Sequence, residues 1–357
     1  MTNRGDSISG CVTAQKRIVS LLPSITEILS SLGVASQIVG ITHECDYPPE
    51  ALSGARIVTT SDINPRTMTQ EEIHEAVCGS LVNGMSLYGI DGEVLRAVKP
   101  DLVLTQSLCD VCAVSYPVVL DTCAKLVGGP ARVEEDGDGS SGSFESKLCP
   151  QVVSMEPENL KDVLKTFHIA AKAIGTPEVI EQCMKVTSDI EAGLDQIRNA
   201  TRGRPTPRVG FLEWHGPLFT GGHWIPDMLQ IANTIYPMAA SGDRSKAITD
   251  EEFIDLDLDC ILVGPCGFSL DRALRDTIAM WKTKPWWREL RAVKEGRVFA
   301  LDGNSYYARP GPRLLQGTAI MAACVHGEEV AKELGETLAP SSGYVRVTLD
   351  MYVDEAD

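Results

Sequence analysis

The chain has 357 residues, and its 49 acidic against 32 basic side chains give a formal charge of −17 that repels phosphate backbones and anionic membranes, which excludes nucleic acid as a partner. With 43% hydrophobic and 23% charged residues the composition is that of a globular protein, and no run of about 18 apolar residues is available to embed it in a membrane. Eleven cysteines, an odd number without regular spacing, fit a reducing compartment better than a disulfide-stapled secreted domain.

Residues 1–16 read as a flexible N-terminus. Ile8-Ser9-Gly10-Cys11 looks like a bacterial lipoprotein cleavage box, but only seven mostly polar residues precede it, so the apolar segment of a secretory signal is missing. The expectation is a cytoplasmic protein, or a periplasmic one if the N-terminus is truncated. Between residues 17 and 156, short β-branched runs at Arg17–Leu22, Ile38–Ile41, Ile57–Thr59 and Asp101–Thr105 alternate with amphipathic stretches. That alternation predicts an N-terminal α/β lobe with a mostly parallel sheet and crossover helices. Residues 131–147, acidic and rich in Gly and Ser, read as a mobile surface loop.

Two helices are expected next, over 157–175 and 177–201. In the first, Leu160, Val163, Leu164, Phe167, Ala171 and Ile174 recur at helical spacing, and Gly175 followed by Pro177 ends it. The second is polar over much of its length; at ~1.5 Å per residue it would extend about 35 Å, enough to bridge two lobes. Residues 157–206 therefore read as a helical connector with its backbone helix near 177–201. Strand patterns resume at Arg208–Leu212, Cys260–Val263 and Arg297–Leu301, placing a C-terminal α/β lobe at 207–335 and a tail at 336–357. The fold class is α/β: two Rossmann-like lobes joined by a long backbone helix, with a ligand cleft between them.

Open parallel sheets present ligands to the loops at the carboxyl ends of their strands. In the first lobe those loops carry Ser24 and Glu27, then His43, Cys45 and Tyr47, then Cys109 and Cys112. In the second they carry Trp214, His215, His223, Trp224, Cys266, Tyr306 and Tyr307. Ser24 and Glu27 form a capping pair at a helix start, with anion binding at that terminus as the alternative. Cys109 and Cys112, three apart, are structural thiols, metal ligands or a redox pair. A zinc or iron site would draw on His43, Cys45, Cys109, Cys112 and Cys266, with His223 as a further ligand. Cys78, Cys183 and Cys324 fall in helical patterns as small packed residues, and Trp281, Trp286 and Trp287 are accounted for by packing.

RIVSLLPSITEILSSLGV, VGITHECDYPPEA, DLVLTQ and GHWIPDMLQIA resemble the periplasmic-binding-protein-like Fe/B12 receptors of class III, the helical-backbone metal receptors, over roughly residues 16–330. SLYGID, SLCDVCAVS, GHWIPDM, PCGF and DGNSYYARPGPRL are similar to a cobalamin-binding-protein-like subgroup that often lacks an export signal. The resemblance implies a cleft lined by Tyr47, Trp214, Trp224, Tyr306 and Tyr307, with Arg309 meeting a polar side arm of the ligand. Ser24 and His223 complete the expected ligand-binding set. The implied function is non-catalytic binding of cobalamin, another corrinoid or a related small-molecule metal chelate, in a family that serves ABC transporters. The alternative is a zinc- or iron-binding metalloprotein using the cleft cysteines and histidines. A cysteine-dependent enzyme comes last, since no nucleophile elbow, P-loop, HExxH or dinucleotide fingerprint supports it.

Overall fold

The computed structural model describes residues 15–64, 67–83, 87–107, 114–127, 132–133 and 150–352. Cys109, Cys112 and nearly all of the 131–147 stretch lie outside the described residues.

The first lobe runs β1 (Ile18–Ser20), α1 (Pro23–Ser31), β2 (Ile38–Ile41), α2 (Pro49–Leu52), β3 (Arg56–Ile57), β4 (Thr59–Ser61) and α3 (Gln70–Asn83). It continues through β5 (Tyr88–Ile90), α4 (Gly92–Val98), β6 (Leu102–Thr105), α5 (Tyr116–Val127), β7 (Arg132–Val133) and β8 (Gln151–Ser154). Six of these strands form one parallel sheet in the order β3-β2-β1-β6-β8-β7. Ile18, Val19, Leu102, Val103 and Leu104 are fully buried, as a sheet covered by helices on both faces requires.

The single strand expected at Ile57–Thr59 is divided. Arg56–Ile57 stays beside β2, whereas Thr59–Ser61 pairs with β5 in a separate two-stranded ribbon that carries α3 between its strands. Val58 is the turning point: its N–H donates to the Ile41 carbonyl and its own carbonyl accepts from the Asp91 N–H, both at 2.9 Å.

The connector is α6 (Leu160–Ile174) and α7 (Pro177–Thr201). Asn159 caps α6 by accepting from the Asp162 N–H, and Gly175 closes it with φ of 82°, a left-handed conformation that glycine adopts without strain. Thr176 caps α7 and Pro177 occupies its first turn, where a missing N–H costs nothing. The 25 residues of α7 span about 37 Å and bury one face through Val179, Cys183, Thr187, Ile190, Leu194 and Ile197.

The second lobe runs β9 (Val209–His215), β10 (Leu218–Thr220), α8 (Ile225–Ile231), β11 (Ala247–Ile248), α9 (Asp250–Asp255), β12 (Cys260–Val263) and α10 (Leu270–Thr283). It ends with α11 (Arg291–Lys294), β13 (Val298–Leu301), α12 (Gly303–Tyr306), α13 (Leu314–His326), α14 (Glu328–Leu338) and β14 (Tyr344–Val347). Its sheet order is β11-β10-β9-β12-β13-β14, parallel at the centre and antiparallel at both edges. Within the stretch read as a tail, Tyr344–Val347 is thus an edge strand. One continuous apolar cluster takes Ile25 and Ile28 from α1, Phe167 from α6, Ile190 from α7, Met228 from α8 and Ile320 from α13, so the lobes share a core on the connector side. No described helix is long and apolar enough to cross a membrane.

Candidate functional site

The carboxyl ends of the two sheets meet across a network of charged side chains. Arg309, in the loop before α13, donates to Glu27 of α1 at 3.4 Å, to Asp46 at 3.1 Å, to the Glu44 carbonyl at 3.2 Å and to the Asn304 side-chain oxygen at 2.9 Å. Asn304 in turn donates to Asp46 at 3.1 Å. Arg313 grips both oxygens of Glu27, at 2.9 and 2.6 Å. Burial by itself would lower the Arg309 pKa, but the Asp46 and Glu27 carboxylates outweigh it and raise it. Asp46 is affected the other way: burial would raise its carboxyl, and the Arg309 guanidinium holds it below the usual range.

Glu27 therefore does not cap α1. The helix begins at Pro23 with Leu22 at the N-cap and no side-chain capping bond, and Ser24 is buried against Gly311. The expected capping pair fails because two guanidinium groups from the other lobe compete for the same carboxylate, and charge-assisted bonds win over a neutral backbone N–H.

His43, Cys45 and Tyr47 follow β2. The Thr59 hydroxyl lies 2.8 Å from His43 Nδ1, and the ring stacks on Tyr88 with centroids 5.7 Å apart. His43 Nε2 is buried without a hydrogen-bond partner, 3.4 Å from Glu44, whose carboxyl the ring holds below its usual range. The ring borders a cavity of about 20 Å³ shared with Leu21, Pro23, Thr42 and Val114, room for one water molecule. The Cys45 thiol sits between Thr26 and Thr42 hydroxyls at 3.1 and 3.3 Å, and burial pushes its pKa up. Tyr47, 45% exposed, lies under the Arg313 guanidinium, 4.5 Å from the ring centre, and Tyr306 flanks the same guanidinium at 5.9 Å.

On the second lobe Trp214 is half-buried against Phe268, and its indole N–H is buried without a partner. His215 is deeply buried and touches Gln70 of the first lobe at 2.8 Å. Gln70 also donates to Asp276 at 2.8 Å, while Arg272 donates to the Met68 carbonyl at 2.9 Å. The ribbon excursion that carries α3 is thereby seated on α10. His223 adopts φ of 53° and packs against Trp224; burial, helped by Arg244, lowers its pKa.

Two aromatics expected to line the cleft lie in the core instead. The Trp224 indole donates to the Tyr307 carbonyl at 2.8 Å, and the Tyr307 hydroxyl donates to the Gly317 carbonyl at 3.1 Å, both inside the second lobe. Each ring has an internal partner for its polar end, the condition for burying an aromatic of this kind. Of the metal candidates, Cys266 is exposed, and among the described residues no three His, Cys, Asp or Glu side chains are grouped to hold an ion. Cys109 and Cys112 lie outside the described residues. A larger cavity, about 230 Å³, lies near the amino end of β12 between Phe253, Leu258, Trp286 and Leu290, and none of the site residues described in this subsection lines it.

Sequence reasoning did not find the Gln70, Asp276, Arg272 and Arg313 contacts, nor the pairing of Glu27 with arginines. These cross-lobe partners are 145 to 286 residues apart, and a polar residue at a helix start gives no sign of which distant element it will face.

A family model described as periplasmic binding protein matches residues 144–304. The ABC transporter substrate-binding lipoprotein YvrC of Bacillus subtilis is 23% identical over 314 residues, 87% of this chain and 80% of that protein. The vitamin B12-binding protein of Vibrio cholerae is 21% identical over 313 residues, 87% of this chain and 88% of that one. Among solved structures, the periplasmic heme-binding protein HutB of Vibrio cholerae superposes with a TM-score of 0.60 at 16% identity, covering 88% of this chain and 100% of that one. These similarities overturn the expectation of a cytoplasmic protein, because the proteins concerned are a lipoprotein and periplasmic proteins and point outside the cytoplasm. That expectation rested on the short polar stretch before Cys11 and on the odd cysteine count, neither of which identifies a compartment.

Proposed function

We propose, for a chain that carries a periplasmic-binding-protein domain on the two-lobed class III fold, that it is an extracytoplasmic substrate-binding protein capturing a metal chelate of the corrinoid or heme kind for an ABC transporter. The observation that carries this reading is the pairing of strand-end loops across the lobes: Asp46 and Tyr47 on one side meet the Tyr306, Asn304, Arg309 and Arg313 region on the other. Exposed and half-buried aromatic faces suit a large, flat, partly apolar ligand, and guanidinium and carboxamide groups suit its polar arms. The lobes are in contact here, so entry of such a ligand requires them to part. The shared core on the connector side keeps that motion small. Non-catalytic binding is in keeping with the substrate-binding relatives, and burial keeps the Cys45 thiol in its neutral, poorly nucleophilic form.

The test is a spectrophotometric titration of the purified chain with hydroxocobalamin and with hemin, alongside elemental analysis. Saturable spectral change at one chelate per chain is expected with at least one of the two. No response to either, together with stoichiometric zinc or iron in the purified protein, would overturn the reading in favour of a metalloprotein.

A further inference from the structure

The direction of every hydrogen bond around Gln70 can be assigned. The Thr277 hydroxyl donates its one proton to the Ala273 carbonyl at 2.6 Å, so toward His215 it acts as acceptor, at 3.0 Å from Nε2. His215 therefore carries its proton on Nε2 and presents the lone pair of Nδ1. Burial lowers its pKa to about 4, so the ring is neutral near pH 7. Asp276 Oδ2 is a second acceptor beside it. Gln70 Nε2 lies 2.8 Å from both and gives one amide hydrogen to each. The fit is one-sided, for Gln70 Oε1 is buried without a hydrogen-bond partner.

We propose that His215 Nδ1 and Asp276 form a seat for a primary carboxamide, occupied here by Gln70 and taken by an amide side arm of the bound chelate. The proposal rests on the chelate-binding reading and narrows it: the site selects ligands whose arms are primary amides, as most of those of cobalamin are, over ligands whose arms are carboxylates, as those of heme are. An –NH2 group satisfies two acceptors at once. A carboxylate brings only lone pairs to them and adds charge beside Asp276. Arg272, 3.3 Å from Asp276 Oδ2, does not reverse this, because it is already directed to that carboxylate and to the Met68 carbonyl. Gln70 is thus an internal competitor that shields two buried acceptors while no ligand is present, and its own unsatisfied carbonyl makes it displaceable.

The experiment titrates the full chain, Gln70→Ala and Asp276→Asn with dicyanocobinamide, whose free arms are amides, with dicyanocobyrinic acid, whose arms are carboxylates, and with hemin. The wild-type chain is expected to bind cobinamide about tenfold or more tightly than cobyrinic acid. Gln70→Ala should tighten cobinamide binding by about tenfold, and more than it tightens cobyrinic acid. Asp276→Asn should narrow the preference between the two corrinoids, since asparagine can donate to a carboxylate. Cobinamide binding that Gln70→Ala leaves unchanged, equal affinity for the two corrinoids, or binding of hemin alone would each overturn the carboxamide seat while leaving the chelate-binding reading in place. Binding of none of the three by any of the proteins would overturn both.

Discussion

Arg309 of the second lobe, with 5% of its side chain exposed, sets its guanidinium 3.4 Å from the carboxylate of Glu27 in the first lobe, which is 1% exposed. Neither charge has water to fall back on, and removing Arg309 leaves the buried Glu27 carboxylate with Arg313 alone. Arg309→Met should destabilise the chain by about 3 kcal/mol in urea unfolding, with little dependence on added salt. Lys332→Ala, which breaks an exposed pair with Glu328, should change stability by less than about 0.5 kcal/mol.

His215 should leave a signature in the pH dependence of stability. Its pKa is depressed in the folded chain from 6.5 to about 4, so as pH falls the unfolded chain takes up the proton first. Its contribution is fully present above pH 6.5, declines as pH falls toward about 4, and is flat below that. The whole change amounts to roughly 3 kcal/mol. Urea midpoints of the wild-type chain and His215→Gln, compared at pH 7.5 and 5, should show the steeper loss in the wild type. Equal slopes would contradict the buried neutral imidazole.

Tyr47 and Trp224 should separate ligand binding from folding. Tyr47→Ala removes an exposed ring whose contact with Arg313 is worth about 0.5–1 kcal/mol, so stability should barely change while chelate affinity drops. Trp224→Ala opens the core and breaks the bond to the Tyr307 carbonyl, costing about 3–5 kcal/mol. Thermal unfolding and hydroxocobalamin titration of both variants provide the comparison.

Gly303 is required by close backbone approach. A Cβ there would sit 2.0 Å from the Pro265 carbonyl oxygen, a backbone atom that cannot swing aside. Gly303→Ala should shift the start of α12 and with it Asn304, destabilising the chain by about 1–3 kcal/mol and loosening the Asn304 bond to Asp46. Loss of cobalamin affinity without loss of stability would contradict this account.

The α/β class and the two lobes were legible because buried parallel strands such as Leu102–Thr105 need unbroken apolar runs, and α6 needs an apolar stripe. The outer elements were not: β11 and β14 pair on one side only and β10 is a three-residue strand between β9 and β11, so their sequences carry no comparable signal. The turn at Val58 was hidden because a β-branched run reads alike whether it continues in one sheet or changes partners. In the candidate site, Tyr47 and Arg309 stood out by motif, and the structure sets both at the junction of the lobes. The motif also drew in Trp224 and Tyr307, whose rings serve the core. Gln70 has no distinguishing neighbours in sequence, and only the fold brings it to His215.

The return of the chain to Val58 has a consequence for how such a molecule can diversify. The excursion leaves the parent sheet at this residue and rejoins it there, through the bond from Asp91 to the Val58 carbonyl. Its ends are clamped before anything in between is specified, and each doubling of a closed loop costs only about 0.6 kcal/mol. The stretch between Thr59 and Asp91 can therefore change in length at small entropic cost while β1, β2 and β6 keep their register.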